Sequence, residues 1–225
     1  MSLSPFGASW HDEAFETHLG GRLDVVEERL ATAVDSKEPF IAEAAGHLLK
    51  AGGKRFRPLL VLLCAEFGDP DSDGIVPAAL VVELTHLATL YHDDVMDEAA
   101  LRRGAQSANA RWDNSIAILT GDYLFARASR IVAGLGPEAV RLQAETFSRL
   151  VHGQIRETTG PRDGEDPLQH YLSVVADKTG ALISTSALFG SMMAGASDAT
   201  QHALTEYGER IGSAFQLSDD IIDVT

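Results

Sequence analysis

The sequence predicts an all-α bundle, and three observations carry that prediction. Apolar residues recur at intervals of three and four along most of the chain. No segment alternates as a half-buried strand does, and the breaks between apolar runs carry glycine, proline, aspartate or serine, the chemistry of loops and helix caps. With 225 residues, 45% apolar and 23% charged, the chain is long enough to bury one large core, so residues 1–225 are read as a single domain without linker or internal repeat.

The breaks fall at residues 35–39, 68–74, 134–137, 159–167 and 195–198. Ahead of the second, Leu59 to Cys64 form an apolar run entered through Pro58, which suits the first turn of a helix. Residues 76–97 put Val76, Leu80, Leu84, Leu87, Leu90 and Tyr91 on one helical face. The same spacing runs through 116–132, 140–155, 168–175, 181–194 and from 203 to the end, for a total of about eight or more helices.

Composition narrows the function. Eighteen basic against 33 acidic residues leave a charge of −15, which repels phosphate backbones and argues against nucleic-acid binding. Cys64 is the single cysteine, so neither an intramolecular disulfide nor a cysteine-rich zinc site can form, and a reducing, cytoplasmic setting is expected. The first residues carry His11, Asp12, Glu13 and Glu16 where a leader would need cations and then an apolar stretch, and no transmembrane segment is expected.

Two segments share one acidic spelling: Asp93-Asp94-Val95-Met96-Asp97 and Asp219-Asp220-Ile221-Ile222-Asp223. With 18 aspartates in 225 residues, chance supplies roughly 0.1 copies of this pattern, so the repetition is the signal. Each copy closes an apolar helical run. At about 100° per residue, Asp93 with Asp97, and Asp219 with Asp223, share a helix face. Carboxylates so close repel one another and need cations; an all-oxygen set suits Mg²⁺ or Mn²⁺, with substrate phosphate oxygens completing the coordination.

The scarce cations are gathered where such a ligand would need them. Of only four lysines, Lys54 falls in Gly52-Gly53-Lys54-Arg55-Phe56-Arg57-Pro58, and Arg102-Arg103-Gly104 follows the first acidic motif. Guanidinium forks grip phosphate oxygens in pairs, so acid, metal and arginine side by side point to a diphosphate site. His86 lies two helical turns before Asp93 on the same face, and His92 is positioned to orient a neighbour.

These residues resemble the trans-isoprenyl diphosphate synthases, or polyprenyl synthetases, from about Ala51 onward. The resemblance rests on the 52–58 motif, His86, His92-Asp93-Asp94-x-x-Asp97 with Arg102-Arg103-Gly104, Gly121-Asp122, Lys178-Thr179-Gly180, and Phe215-Gln216-x-x-Asp219-Asp220-x-x-Asp223. It implies an isoprenoid-synthase bundle around a deep central cavity, a homodimer, and Mg²⁺-dependent condensation of isopentenyl diphosphate with an allylic diphosphate. By the same resemblance Asp93, Asp97 and Asp219 hold the metal, with Asp94, Asp220 and Asp223 as further contacts. Arg102, Lys178 and Gln216 bind the allylic diphosphate, Lys54, Arg57, His86 and Arg103 bind isopentenyl diphosphate, and Thr179 is a further substrate-binding residue. No amino-acid base is needed, since released diphosphate can take the proton.

In such enzymes, bulky residues four or five positions before the first motif form a floor that stops the growing chain. Here those positions hold Thr89 and Ala88, so an open floor and a long polyprenyl product, released at a membrane surface, are expected; Leu84, Val81 and Leu80 would line the deeper path. The family continues past the second motif with a basic segment and further helices, so the C-terminal helices are expected to be lacking from these residues. The alternatives are a short-chain farnesyl or geranylgeranyl diphosphate synthase and a non-catalytic subunit of a heteromeric synthase. A terpene cyclase would not need the two basic sites.

Overall fold

A computed structural model describes residues 12–223, apart from the Asp223 side chain; the reading of the first eleven residues as lacking a leader lies outside them. The chain begins with α1 (Glu13–Val34) and α2 (Pro39–Lys50), followed by α3 (Phe56–Ala65) and α4 (Ile75–Met96). A two-residue hairpin, β1 (Leu101–Arg102) and β2 (Ala105–Gln106), leads into the short α5 (Ala108–Arg111), α6 (Asn114–Val132) and α7 (Pro137–Thr159). Then come α8 (Pro167–Val175), a π-helical turn at Ala176–Gly180, α9 (Ala181–Met193) and α10 (Asp198–Asp223).

The helix boundaries follow their local chemistry. Asp12 caps α1 by accepting from Ala14 and Phe15 N–H at 3.0 Å, Asp113 caps α6 through Ile116 N–H at 2.8 Å, and Asp166 caps α8 through Leu168 N–H at 3.0 Å. Proline opens α2, α7 and α8, where its missing donor costs nothing. The hairpin corrects the expectation that no strand would form: Arg103 and Gly104, both at positive φ, make a turn too short for any period-two pattern to register.

α4 occupies the centre. It packs against α6, α3 and α9 and is buried on nearly all sides, so its apolar residues do not form the single face that the spacing suggested. By length and composition it could cross a membrane, but it is mostly buried inside the protein, as a core helix is. Cys64 is buried in α3, where burial pushes its thiol up to about 12. α9 crosses α3 so closely that a Cβ on Gly190 would come within 2.1 Å of the Val61 carbonyl oxygen, and only glycine fits there. The stacked rings of Phe56 and Phe215, 5.7 Å between centroids, join α3 to α10.

Candidate active site

A cavity of about 590 Å³ opens where the C-terminal end of α4, the 52–57 loop, the hairpin, the π turn and α10 meet. Asp93 and Asp97 reach it from α4 and Asp219 from α10, so the two acidic motifs face one space although 126 positions separate Asp93 from Asp219 (219 − 93). Lys54, Arg57, His86, Arg102 and Arg103 line it on one side. Lys178, Thr179 and Gln216 line it on another.

The acidic side chains do different work. Asp93 is held up at about 6 by burial, with Asp97 adding to the shift and Lys178 and Arg102 opposing it. An acid so raised carries a charge that lacks a full complement of partners. Asp94 is fully buried and does not line the cavity. It accepts from Arg102 Nε at 2.6 Å, and its carbonyl receives Ala99 N–H at 2.9 Å and Asn109 Nδ2 at 3.1 Å, fixing the turn from α4 into the hairpin. Asp220 also stands outside the lining: Tyr171 donates its hydroxyl to one oxygen, and Gln216 Nε2 donates to the other at 2.7 Å. Thr179 donates to Gln216 Oε1 at 2.8 Å, so the π turn, Gln216 and Asp220 form one chain of hydrogen bonds. Asp223 ends α10, and its side chain lies outside the described residues.

The cation cluster is built on left-handed backbone. Gly52 and Gly53 at φ 92° and 155°, and Arg55 at φ 48°, turn the chain sharply into α3. A Cβ on Gly53 would meet the Arg55 and Arg103 guanidinium nitrogens at 2.7 and 2.9 Å, so glycine lets these side chains close over the backbone. Arg55 binds Glu27 of α1 and Glu83 of α4, the latter at 3.1 Å. Arg103 donates to the carbonyls of Leu48, at 3.1 Å, and Gly52. Burial draws Arg57 down to about 10, and its Nε is buried without a hydrogen-bond partner. His86 is held well below its ordinary range by burial and by Arg57, Arg103, Arg55 and Arg102 around it, which keeps it neutral.

Lys178 pairs with Glu157 of α7 and projects from the π turn, a distortion of helix that often marks a functional position. His92 Nε2 lies 3.1 Å from the Ile118 carbonyl and 3.4 Å from Asp122, tying α4 to α6. Thr89 lines the cavity; Ala88 is fully buried in the core instead. Leu80, Val81 and Leu84 belong to that same packed core. Phe125 of α6 and Phe147 of α7 also line the cavity, ring centroids 4.3 Å apart.

Sequence reasoning missed Glu83, Glu157, Tyr171 and this phenylalanine pair. Glu83, three residues before His86 on an otherwise apolar stretch, was detectable as a charge on a buried face; the others are brought in by tertiary packing alone. Among the described residues, no three Asp, Glu, His or Cys side chains converge to hold a metal ion by themselves. The donors that reach the cavity, Asp93, Asp97 and Asp219, are all oxygen, a set that suits a hard divalent cation sharing its coordination with phosphate oxygens.

A sequence model described as polyprenyl synthetase matches residues 38–225. The chain is 48% identical over 219 residues to the nonaprenyl diphosphate synthase of Mycobacterium tuberculosis, covering 97% of this chain and 65% of that protein. It is 42% identical to heptaprenyl diphosphate synthase component 2 of Geobacillus stearothermophilus, covering 95% of this chain and 67% of the relative. Among solved structures, it superposes with a TM-score of 0.87 on the geranylgeranyl pyrophosphate synthase of Corynebacterium glutamicum complexed with calcium and isoprenyl diphosphate. The two are 49% identical, over 96% of this chain and 67% of that one. The chain thus spans about two thirds of the length of these relatives.

Proposed function

Because the chain belongs to the polyprenyl synthetase family, we propose that it is a prenyltransferase condensing isopentenyl diphosphate with an allylic diphosphate into an all-trans polyprenyl diphosphate. The observation that carries this reading is that one cavity is lined by residues of both acidic motifs and of both basic clusters. Asp93, Asp97 and Asp219 would hold Mg²⁺, or Mn²⁺ in its place, with Asp223 as a further contact; when bound, the cation neutralises charge on the leaving diphosphate. Asp220 acts through Gln216, which it orients.

Arg102, Lys178, Thr179 and Gln216 bind the allylic diphosphate in this reading. Lys54, Arg57, Arg103 and neutral His86 bind isopentenyl diphosphate. The allylic carbon–oxygen bond breaks with its electron pair leaving on the diphosphate, and the alkene of isopentenyl diphosphate adds to the allylic carbon to form the new bond. The proton then lost passes to the departing diphosphate. The chain's own residues contribute preorganised cations at the leaving oxygen and an apolar chamber that keeps water from the carbocation.

The relatives named nonaprenyl and heptaprenyl synthases support a long product. A shorter product is favoured by one observation: Phe125 and Phe147 line the cavity as a contacting pair, bulk from α6 and α7 that Ala88 and Thr89 lack. The test is incubation with both diphosphates and Mg²⁺, with products sized by mass. Phe147→Ala is expected to lengthen the terminal product by one or more isoprene units; an unchanged length removes the ring as a stop. A homodimer, proposed from the family resemblance, would cover the exposed Ile118 and Leu119 of α6. A cytoplasmic site with product release at a membrane surface completes the reading. The 1–225 chain is proposed as one all-α domain.

A further inference from the structure

A buried carboxylate stands among the guanidinium groups that line the cavity. Glu83 reaches the lining from α4, with its side chain only 3% exposed, and accepts from Arg55 Nη1 at 3.1 Å. Arg55 is held without it: the same guanidinium binds Glu27 and donates to the carbonyls of Leu49 at 2.9 Å and Gly52 at 3.4 Å. A buried carboxylate is costly unless its charge is used. Glu83 lines the same cavity as Arg57 and Arg103, and the guanidinium of its partner Arg55 packs beside that of Arg103 over Gly53; its charge acts on both Arg57 and Arg103, with Glu27 adding to it at Arg103. Arg57 has a buried, unpartnered Nε, and the Arg103 Nη1 donates only to neutral carbonyls. Glu83 is therefore an anion that these two cations share.

We propose that Glu83 is a counter-anion that tunes these cations for reversible diphosphate binding. It offsets the charge of Arg57 and Arg103 while the site is free, and it repels the diphosphate that later occupies them, so that ligand is held but released. The inference rests on the diphosphate reading of the cavity and assigns Glu83 a positioning role, with no contact to the reacting atoms.

The test is calorimetric titration of the metal-free protein with inorganic diphosphate at several salt concentrations. Glu83→Gln keeps the shape and removes the charge; it is expected to bind diphosphate roughly tenfold more tightly, with a steeper dependence on salt. A carboxylate that merely braced the fold would give weaker binding when neutralised. Glu27→Gln, which alters the same Arg55 from a partly exposed position, is the control and should leave binding within about twofold. Should Glu83→Gln fail to fold, Glu83→Met carries the same expectation. Equal or weaker binding by the neutral variants overturns the role of Glu83 and leaves the diphosphate reading standing. No binding by the unaltered protein overturns both.

Discussion

Asp93→Asn is expected to lower prenyl transfer by at least about 10³-fold, the scale of losing one anchoring ligand for a metal that stabilises developing charge. The same substitution should stabilise the metal-free protein. Burial raises Asp93 in the folded chain to about 6, above the ordinary carboxylate value of 3.8. A folded-state value above the unfolded one means that the folded protein binds more protons between those limits, so stability falls as the pH rises through that window. The penalty is complete above about pH 6 and absent below about pH 4. Asn carries no such penalty, so Asp93→Asn should raise the metal-free Tm by roughly 2–5 °C at pH 8 and leave it unchanged near pH 4. Activity lost with the Tm gain confined to high pH marks a residue kept for function at the expense of stability. Retained turnover removes Asp93 from the metal site.

Gly190→Ala should be the most damaging single methyl group in the core. Its Cβ would lie 2.1 Å from the Val61 carbonyl oxygen and 3.1 Å from Cys64 Cβ, contacts that neither helix can accept without α9 moving away from α3. Since α9 also carries α10, and with it Asp219, the displacement reaches the cavity. The expected cost is about 2–3 kcal/mol, a fall of about 5–10 °C in Tm by calorimetry. A change below about 1 °C contradicts the close α3–α9 crossing.

Much of this architecture was legible in the sequence, because helical periodicity and capping act locally. The five predicted breaks coincide with the ends of α1, α3, α6, α7 and α9, where Asp35, Gly68, Gly136, Gly160 and Gly195 stand. The candidate site was legible because its charges are scarce and spelled twice, and Asp93, Asp97 and Asp219 do reach one cavity with the predicted cations. What escaped the sequence depends on packing between distant segments. The motif spelling treats Asp94 like its neighbours, yet it turns into the protein towards Arg102, and Asp220 turns to Tyr171, forty-nine positions away. Phe125 and Phe147 lie on different helices, and nothing before Asp93 announces that their rings would meet in the cavity lining. In the sequence Arg55 has no role of its own between the predicted contacts Lys54 and Arg57, and the fold uses it to bind α1, α2 and α4 together through Glu27, Leu49 and Glu83.

The measurement that tests the central claim most directly follows isopentenyl diphosphate and a short allylic diphosphate in the presence and absence of Mg²⁺, with products identified by mass. The account predicts Mg²⁺-dependent prenyl diphosphates longer than the primer by whole isoprene units, with release of one diphosphate per unit added. Release of diphosphate from the allylic substrate alone, giving an alcohol or a cyclised hydrocarbon while isopentenyl diphosphate stays unconsumed, would contradict it.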